Sequence, residues 1–184
     1  MTGTHSIITP AIMYWGTPVA LITTTNEDGT ANIGPISSVW WLGHRCLLGL
    51  ASGSQTTLNL FRTKHCVINL PSADMAHYIN PIAKTTGTPT VPSRQERPRL
   101  HPLQRQPPRI SECPVQMEAE LTNSMDLMQE VPDRKGRLVA IEIKILRTHV
   151  RHDLRMEGYA NRIDPDRWRP LIMSFQEFYG LAPS

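Results

Sequence analysis

Residues 19–70 read VALITTTNEDGTANIGPISSVWWLGHRCLLGLASGSQTTLNLFRTKHCVINL, and the order of patterns in this stretch decides the fold. Residues 19–25 are apolar or β-branched throughout, which is typical of a strand that is buried or lines a barrel. Asp28-Gly29 predicts a tight turn because glycine readily takes the positive φ that such turns require. A second strand is therefore expected over 30–41. Pro35 removes one ladder donor from it, so a bulge, a bend or an edge is expected there.

The second half of the stretch predicts a strand, a helix and a further strand. Residues 46–50 follow a Gly43-His44 turn and form a short third strand. Residues 55–62 have helical spacing, with Ser54 as a suitable N-cap. Residues 67–70 are predicted to form a strand that stops at Pro71.

The remainder of the chain continues the β pattern. A helix over 73–84, broken near Asn80-Pro81, precedes a Pro/Arg-rich segment over 88–108 that we expect to lack regular structure. Strands are predicted over 113–122 and 138–150, and the tail from Asp164 is expected to open a turn or a helix that buries one face. Six or seven strands with short helices predict a mainly β fold, a closed or nearly closed antiparallel barrel.

Composition indicates one globular domain over residues 1–184. Forty per cent of the chain is apolar and the net charge is +3. No apolar run reaches the ~20 residues of a bilayer span, and the first ten residues lack a signal-peptide pattern, so a cytoplasmic location is expected. Cys46, Cys66 and Cys113 are widely spaced, which is typical of buried thiols in a reducing compartment and unlike a metal site.

Two hydroxyl-rich segments are candidate binding sites. Ser37-Ser38 follow the strand-bending Pro35, where irregular backbone groups could bond a planar heteroaromatic ligand, or where the serines could simply cap a bulge. Residues 52–57, Ser-Gly-Ser-Gln-Thr-Thr, run into a helix N-terminus and suit a phosphate. The alternative is an N-capped helix after a flexible turn, and the segment is not a Walker loop because no Gly-Lys-Ser/Thr follows.

Two further groups carry weaker signals. Lys84-Thr85-Thr86-Gly87 places a cation and two hydroxyls at the end of a helix, where a lysine also interacts favourably with the helix dipole. His149 and His152 point to opposite faces if they lie on one strand, so they are not expected to share a metal. His152 beside Asp153 could be a proton donor near neutral pH, although such histidines are more often structural.

The order of these segments resembles the flavin reductase-like family, whose fold is the FMN-binding split β-barrel of Greek-key type. The resemblance rests on the motifs at 14–24, Asp28-Gly29, 35–38, 54–60 and 67–71, and on the segments at 84–87, 112–118 and 168–173. It covers most of the chain from about Met13 onward.

The resemblance implies a homodimer with FMN at the interface and hydride transfer from NAD(P)H to flavin. Carried over by position, Ser37, Ser38 and Val39 would face the isoalloxazine. The residues that would surround the ribityl phosphate are Ser54, Gln55, Thr56, Thr57 and Asn59, with Lys84 and Thr85 nearby.

Two other hypotheses remain open. Gln55 stands where members of the family commonly have a lysine or arginine, which motivates a split barrel that binds or transforms another small molecule without flavin redox chemistry. An anion-binding or nucleic-acid module would use basic residues in and directly after the Pro/Arg-rich segment, and its binding would weaken steeply with salt. These residues are Arg94, Arg97, Arg99, Arg105 and Arg109.

Overall fold

The structure is a computed structural model that describes residues 5–85, 100–103 and 106–182. The strands are β1 (Trp15–Pro18), β2 (Ala20–Thr25), β3 (Ala31–Ile36), β4 (Val39–Leu42), β5 (Arg45–Ala51), β6 (His65–Leu70), β7 (Leu100–Leu103), β8 (Gln106–Ile110), β9 (Val115–Leu127), β10 (Leu138–Val150), β11 (Leu171–Ser174) and β12 (Glu177–Gly180). The α-helices are α1 (Gln55–Thr63) and α2 (Ala76–Thr85). The prediction of a mainly β chain with short helices is confirmed.

A seven-stranded antiparallel sheet in the order β3-β2-β6-β9-β10-β5-β4 forms the body of the molecule. Its two end strands, β3 and β4, are consecutive in the chain and are joined only by Ser37 and Ser38. They do not pair with each other, so the sheet is not closed by hydrogen bonds as a full barrel would be. The split barrel therefore stays a prediction.

Strand β2 is buried on both faces, as its apolar sequence predicts. Ala20 and Ile22 belong to the larger hydrophobic cluster, which also contains residues of β5, β6, β9 and β10. Leu21 belongs to a second cluster on the opposite face, with Ile79 and Ile82 of α2. The second cluster thus packs α2 against one face of β2, while Leu60 of α1 belongs to the larger cluster on the other face.

The predicted single strand over 30–41 is two strands, β3 and β4. The break falls at Ser37 and Ser38, directly after the Pro35 bend that the sequence predicted. Ser38 O accepts a hydrogen bond of 2.7 Å from Gly49 N, which ties the corner to β5.

The predicted break of the second helix at Asn80-Pro81 is wrong, because α2 continues through Pro81. A short 3₁₀ turn at Ala73–Met75 precedes the helix. Ile79 and Ile82, on either side of the proline, are both buried in the second cluster. This packing holds the two halves of the helix together although the proline removes one backbone donor.

The expectation that 88–108 lacks regular structure is wrong where the structure describes it. Strands β7 and β8 pair as an antiparallel two-stranded ladder, with His101 opposite Arg109. Prolines are tolerated in an edge pair when the missing N–H points away from the partner strand. The rest of the segment lies outside the described residues, together with Arg94, Arg97, Arg99 and Arg105.

The tail forms a hairpin and not the predicted helical face. Strands β11 and β12 pair with each other, and β11 also pairs with β1. Phe175 and Gln176 both have positive φ, 47° and 72°, which is the backbone of a two-residue hairpin turn. The ring of Phe175 packs edge-on against Trp15 at 4.6 Å between centroids.

Neither α-helix in the described part of the chain is long and apolar enough to cross a membrane.

Candidate functional site

The candidate phosphate-binding segment, residues 52–57, here called the phosphate loop, lies between the end of β5 and the start of α1. Ser54 is the N-cap of the helix, and its Oγ accepts from Thr57 N at 3.2 Å. Ser54 Oγ also lies 2.9 Å from Thr57 Oγ1, which in turn donates to Ala51 O at 2.8 Å. Ser52 N donates to Arg137 O at 2.9 Å and anchors the loop to the start of β10. The loop is thus held in one conformation by its own hydroxyls.

A buried network of amide and hydroxyl side chains supports the first turns of α1. Asn59 Nδ2 lies 3.1 Å from Thr24 Oγ1 and 2.7 Å from Asn26 Oδ1, both of which accept from it. Asn32 Nδ2 donates to Thr24 Oγ1 at 3.1 Å and to Thr56 Oγ1 at 3.0 Å. The helix is therefore fixed to β2 and β3 by hydrogen bonds, and Asn59 and Thr56 are occupied by structural partners.

Gln55 and the backbone at the helix start give the loop its electrostatic character. Gln55 Nε2 donates to Asn59 Oδ1 at 2.9 Å. No acidic residue lies in the first turn, and the basic residue of the helix, Arg62, is in the last turn. The amides of Gln55 and Thr56 have no intrahelical carbonyl to bond. The site presents neutral donors and a helix dipole to an anion, without a fixed cation in that turn.

The second predicted segment, Ser37-Ser38-Val39, forms the corner between β3 and β4. Ser38 Oγ lies 2.9 Å from the hydroxyl of Tyr14, a residue that sequence reasoning did not assign to the site. Ser37 is buried, and the side chain of Val39 packs in the larger hydrophobic cluster. Val39 can therefore contact a ligand only through its backbone.

The corner and the phosphate loop are brought close by strands β3 and β5. Ser38 O bonds Gly49 N, two residues before β5 ends at Ala51. On the other side, a Cβ built on Gly34 would lie 2.3 Å from Thr56 Oγ1 in the first turn of α1. Segments 37–39 and 54–57 are thus linked through Gly49 and Gly34, and their sharing of one ligand stays a prediction.

Lys84 and Thr85 lie at the C-terminal end of α2. Lys84 is exposed, and Thr85 Oγ1 donates to Ile82 O at 2.9 Å within the helix. Helix α2 packs against β3, the strand that leads to the Ser37-Ser38 corner. Thr86 and Gly87 of the same motif lie outside the described residues.

His152, the predicted catalytic residue, does not join this site within one chain. It is exposed in a 3₁₀ turn after β10 and lines an open cavity of about 490 Å³ with Arg155, Tyr159 and Arg167. The phosphate loop bonds Arg137 at the other end of β10, a strand of 13 residues. An extended strand of that length spans roughly 40 Å at about 3.3 Å per residue.

Of the two histidines, His149 is the one bonded to a buried carboxylate. This contact was not identified from the sequence. Its Nε2 lies 2.6 Å from Oε1 of Glu118, a carboxylate that is only 5% exposed. Arg147 Nη1 lies 3.5 Å from the other oxygen of Glu118. Glu118 stands between the apolar Met117 and Ala119 in β9, but only the register between β9 and β10 reveals which residues face it.

The three cysteines are buried and unpaired. Burial raises the pKa of Cys46 and of Cys66 to about 12, and it raises the pKa of Cys113 as well. Such thiols are protonated at neutral pH and are poor nucleophiles. Within 5–85, 100–103 and 106–182 no three His, Cys, Asp or Glu side chains are grouped so that they could hold a metal ion.

The loop at 52–57 fits the phosphate of a flavin nucleotide. Among the described residues the buried Ser52 Oγ has no hydrogen-bond partner, and the two first-turn amides are also available as donors. A Cβ added to Gly53 would meet nothing within 4 Å, so a ligand can approach the backbone closely. These donors are what an anion at a helix N-terminus requires.

Comparison with known proteins supports the predicted family. The model of the flavin reductase like domain matches residues 13–182. A protein of Bacillus subtilis (strain 168), the uncharacterized protein YdfE, is 37% identical over 190 residues, which cover 95% of this chain and 88% of YdfE.

Solved structures share the fold at low sequence identity. The flavoredoxin of Desulfovibrio vulgaris (Miyazaki F) superposes with a TM-score of 0.81 at 15% identity, over 99% of this chain and 95% of its own. The flavoredoxin from Methanosarcina acetivorans gives a TM-score of 0.81 at 13% identity, over 99% and 94%. With the family model matching nearly the whole chain, the resemblance inferred from the motifs is confirmed, and this protein belongs to the flavin reductase-like family.

Proposed function

We propose that this protein is an FMN-binding oxidoreductase that transfers hydride from NAD(P)H to flavin. The observation that carries the proposal is the loop at 52–57, which presents unpartnered donors at a helix N-terminus beside the Ser37-Ser38 corner. Family membership and the flavoredoxin-like fold support the same assignment.

The protein's part in this chemistry is to bind and orient the flavin. Ser52 Oγ and the amides of Gln55 and Thr56 would hold the phosphate, and the corner at 37–39 would meet the ring system. The bound FMN would supply the redox chemistry by accepting a hydride from the nicotinamide. Tyr14, through its contact with Ser38, would keep the corner in position.

We further propose a homodimer with this site at its interface. Large apolar side chains are exposed on the part of the chain that the structure describes, and such residues mark interaction surfaces when they form a patch. They include Trp15, Trp40, Leu42, Leu58, Met125, Met128 and Leu146. A second copy would cover part of this surface and could supply residues, such as His152, that are remote from the loop within one chain.

The test is to purify the protein and record its visible spectrum with FMN, then to measure NAD(P)H oxidation. We expect FMN to bind at micromolar concentration and to be reduced. The variant S52A, which removes an unpartnered buried hydroxyl, should weaken FMN binding by about fivefold. The control S124A, an exposed serine on β9, should leave binding unchanged. Failure to bind flavin and to oxidise either nucleotide would refute the proposal.

A second function is favoured by one specific observation. Gln55 is bonded to Asn59, and the first turn of α1 carries no cation, so the loop could hold a small molecule other than a flavin phosphate. The protein would then bind or transform that molecule without flavin redox chemistry.

The variant Q55K separates the two functions. If the loop is a phosphate site, the added charge should tighten FMN binding about fivefold, which corresponds to about 1 kcal/mol. The matched control Q129K adds the same charge in the exposed loop after β9 and should have no effect. If the pocket does not fit a flavin, FMN should fail to bind to the parent protein, to Q55K and to Q129K.

A further inference from the structure

A second concave site lies at one end of the paired strands β9 and β10. This end is the one remote from the phosphate loop. Gln116 pairs with His149 at this end, whereas Leu127 pairs with Leu138 at the other end, beside Arg137. The cavity measures about 310 Å³, and its polar lining comes from Arg109, Ser111, Gln116, His149 and Arg151. A volume of this order suits a small organic molecule with a single ring or a short chain.

Buried polar side chains hold the backbone on either side of Arg109. Thr23 Oγ1 donates to Pro108 O at 2.6 Å, and Asn69 Oδ1 accepts from Ile110 N at 2.8 Å. Gln116 Nε2 donates to Ile110 O at 2.7 Å and to Cys113 O at 2.9 Å. Thr23 and Asn69 are fully buried and Gln116 is 8% exposed. Burying three polar side chains to fix one segment yields a rigid platform for Arg109.

In the part of the chain that the structure describes, one donor of the Arg109 guanidinium has no acceptor. Its Nη1 donates to Gln116 Oε1 at 3.0 Å, and its Nε is buried without a hydrogen-bond partner. Within the described residues no carboxylate lies at ion-pair distance from Arg109, whereas Arg151 pairs with Asp153 and both Arg147 and His149 pair with Glu118. A buried N–H without an acceptor is costly, and an oxyanion would satisfy it.

We propose that this cavity is a binding site for a small oxyanion, the carboxylate of an organic acid or a phosphate group, with Arg109 as the anchoring residue. A guanidinium matches both groups because its planar donors bond two oxygens at once. Gln116 orients Arg109 by accepting from Nη1, and the oxyanion would accept from the remaining N–H groups of the guanidinium. The proposal does not depend on flavin binding, because the site shares no residue with the phosphate loop.

Calorimetric titration of the full-length protein with benzoate and, separately, with inorganic phosphate tests the proposal and distinguishes the two ligand classes. At least one probe should bind, and R109Q should weaken that binding about tenfold or more, as expected for loss of a charge-assisted pair. The matched control R134Q removes the same charge from the exposed loop between β9 and β10 and should change the affinity less than twofold. Absence of binding by both probes, or equal affinity in R109Q, would overturn the proposal.

A second measurement uses the unmodified protein in case R109Q does not fold. In a ¹⁵N spectrum of arginine side chains, the Nε–H signal of Arg109 should shift when the binding probe is added, and the signals of exposed arginines such as Arg134 should not. A signal of Arg109 that stays in place at saturating probe would contradict the assignment. The difference between R109Q and the parent and the Arg109 signal both report on this cavity alone, so phosphate bound at residues 52–57 does not count toward the proposal, and the outcome is separate from that of the proposed reductase activity.

Discussion

At the scale of single residues, Gly34 shows how closely β3 approaches the helix that begins the candidate site. A Cβ at this position would lie 2.3 Å from Thr56 Oγ1 and 3.4 Å from Thr56 Cβ. Thr56 is 2% exposed and its Oγ1 is fixed by Asn32, so it has little freedom to move away. The glycine is therefore required by packing and not by a turn.

The variant G34A should destabilise the protein by about 1–3 kcal/mol, the usual cost of overpacking a well-packed region. Chemical denaturation measures the change in the free energy of unfolding. Adding T56A to the G34A protein should restore part of the lost stability, because T56A removes the contacted hydroxyl. The control G53A adds a methyl group where nothing lies within 4 Å and should change stability by less than about 0.5 kcal/mol. A G34A protein as stable as the parent would show that the helix can shift outward without cost.

At the scale of elements, the N-cap residue Ser54 sets the position at which α1 begins. Ser54 has extended backbone angles, and its side chain accepts from Thr57 N, while the helix ends at Lys64 in the left-handed region with φ of 65°. The same cap orders the loop that presents Ser52 and the first-turn amides. The stability of the helix and the binding of the ligand therefore both depend on Ser54.

Replacing Ser54 with alanine should lower the free energy of unfolding by about 1 kcal/mol through loss of the cap. It should also weaken FMN binding, since the loop would lose its contact with Thr57. The exposed S124A protein serves as control for both measurements, urea denaturation and flavin titration. If S54A lost stability but bound FMN as the parent does, the loop would be ordered by Ala51 and Thr57 alone.

At the scale of the whole molecule, the two hydrophobic clusters bury all three thiols, and this links stability to alkaline pH. The pKa of Cys46 and that of Cys66 rise from 9.0 to about 12 because burial disfavours the thiolate, and the pKa of Cys113 moves in the same direction. The unfolded chain loses these protons first as pH rises. The stability that the buried, protonated thiols contribute is fully present below about pH 9 and is lost between pH 9 and 12.

Urea denaturation near pH 8 and near pH 10 should therefore show lower stability at the higher pH. The variant C66A removes one of the three groups and should lose less stability over the same interval than the parent does. In the folded protein near pH 8 the thiols should react with a thiol reagent far more slowly than in urea. Equal reaction rates in both states would contradict the burial on which this prediction rests.

The proposed homodimer is also a property of the whole molecule. Light scattering after size-exclusion chromatography should give about 41 kDa, twice the 20.7 kDa of one chain. Charging the exposed apolar surface with W40E should shift the mass toward that of one chain and weaken FMN binding if the site is shared between copies. A parent protein of one chain's mass that binds FMN would exclude an interfacial site.

Local sequence patterns determined much of the fold. Alternation and β-branching placed β2 and β10, Asp28-Gly29 placed the first hairpin, and Ser54 placed the start of α1, since each depends on neighbours within a few residues. The hydroxyl motifs at 37–38 and 54–57 were also visible in the sequence, and the ordered set of motifs was enough to identify the family.

Only the tertiary structure decided the features that depend on packing between distant segments. Helix α2 continues through Pro81 because the core holds both halves, and the tail pairs with β1 although its apolar spacing would also suit a helix. Likewise the register of β9 against β10 places Glu118 beside His149, and three buried side chains fix the segment that carries Arg109. Sequence periodicity shows which face of a strand is polar, but only three-dimensional packing determines what that face meets.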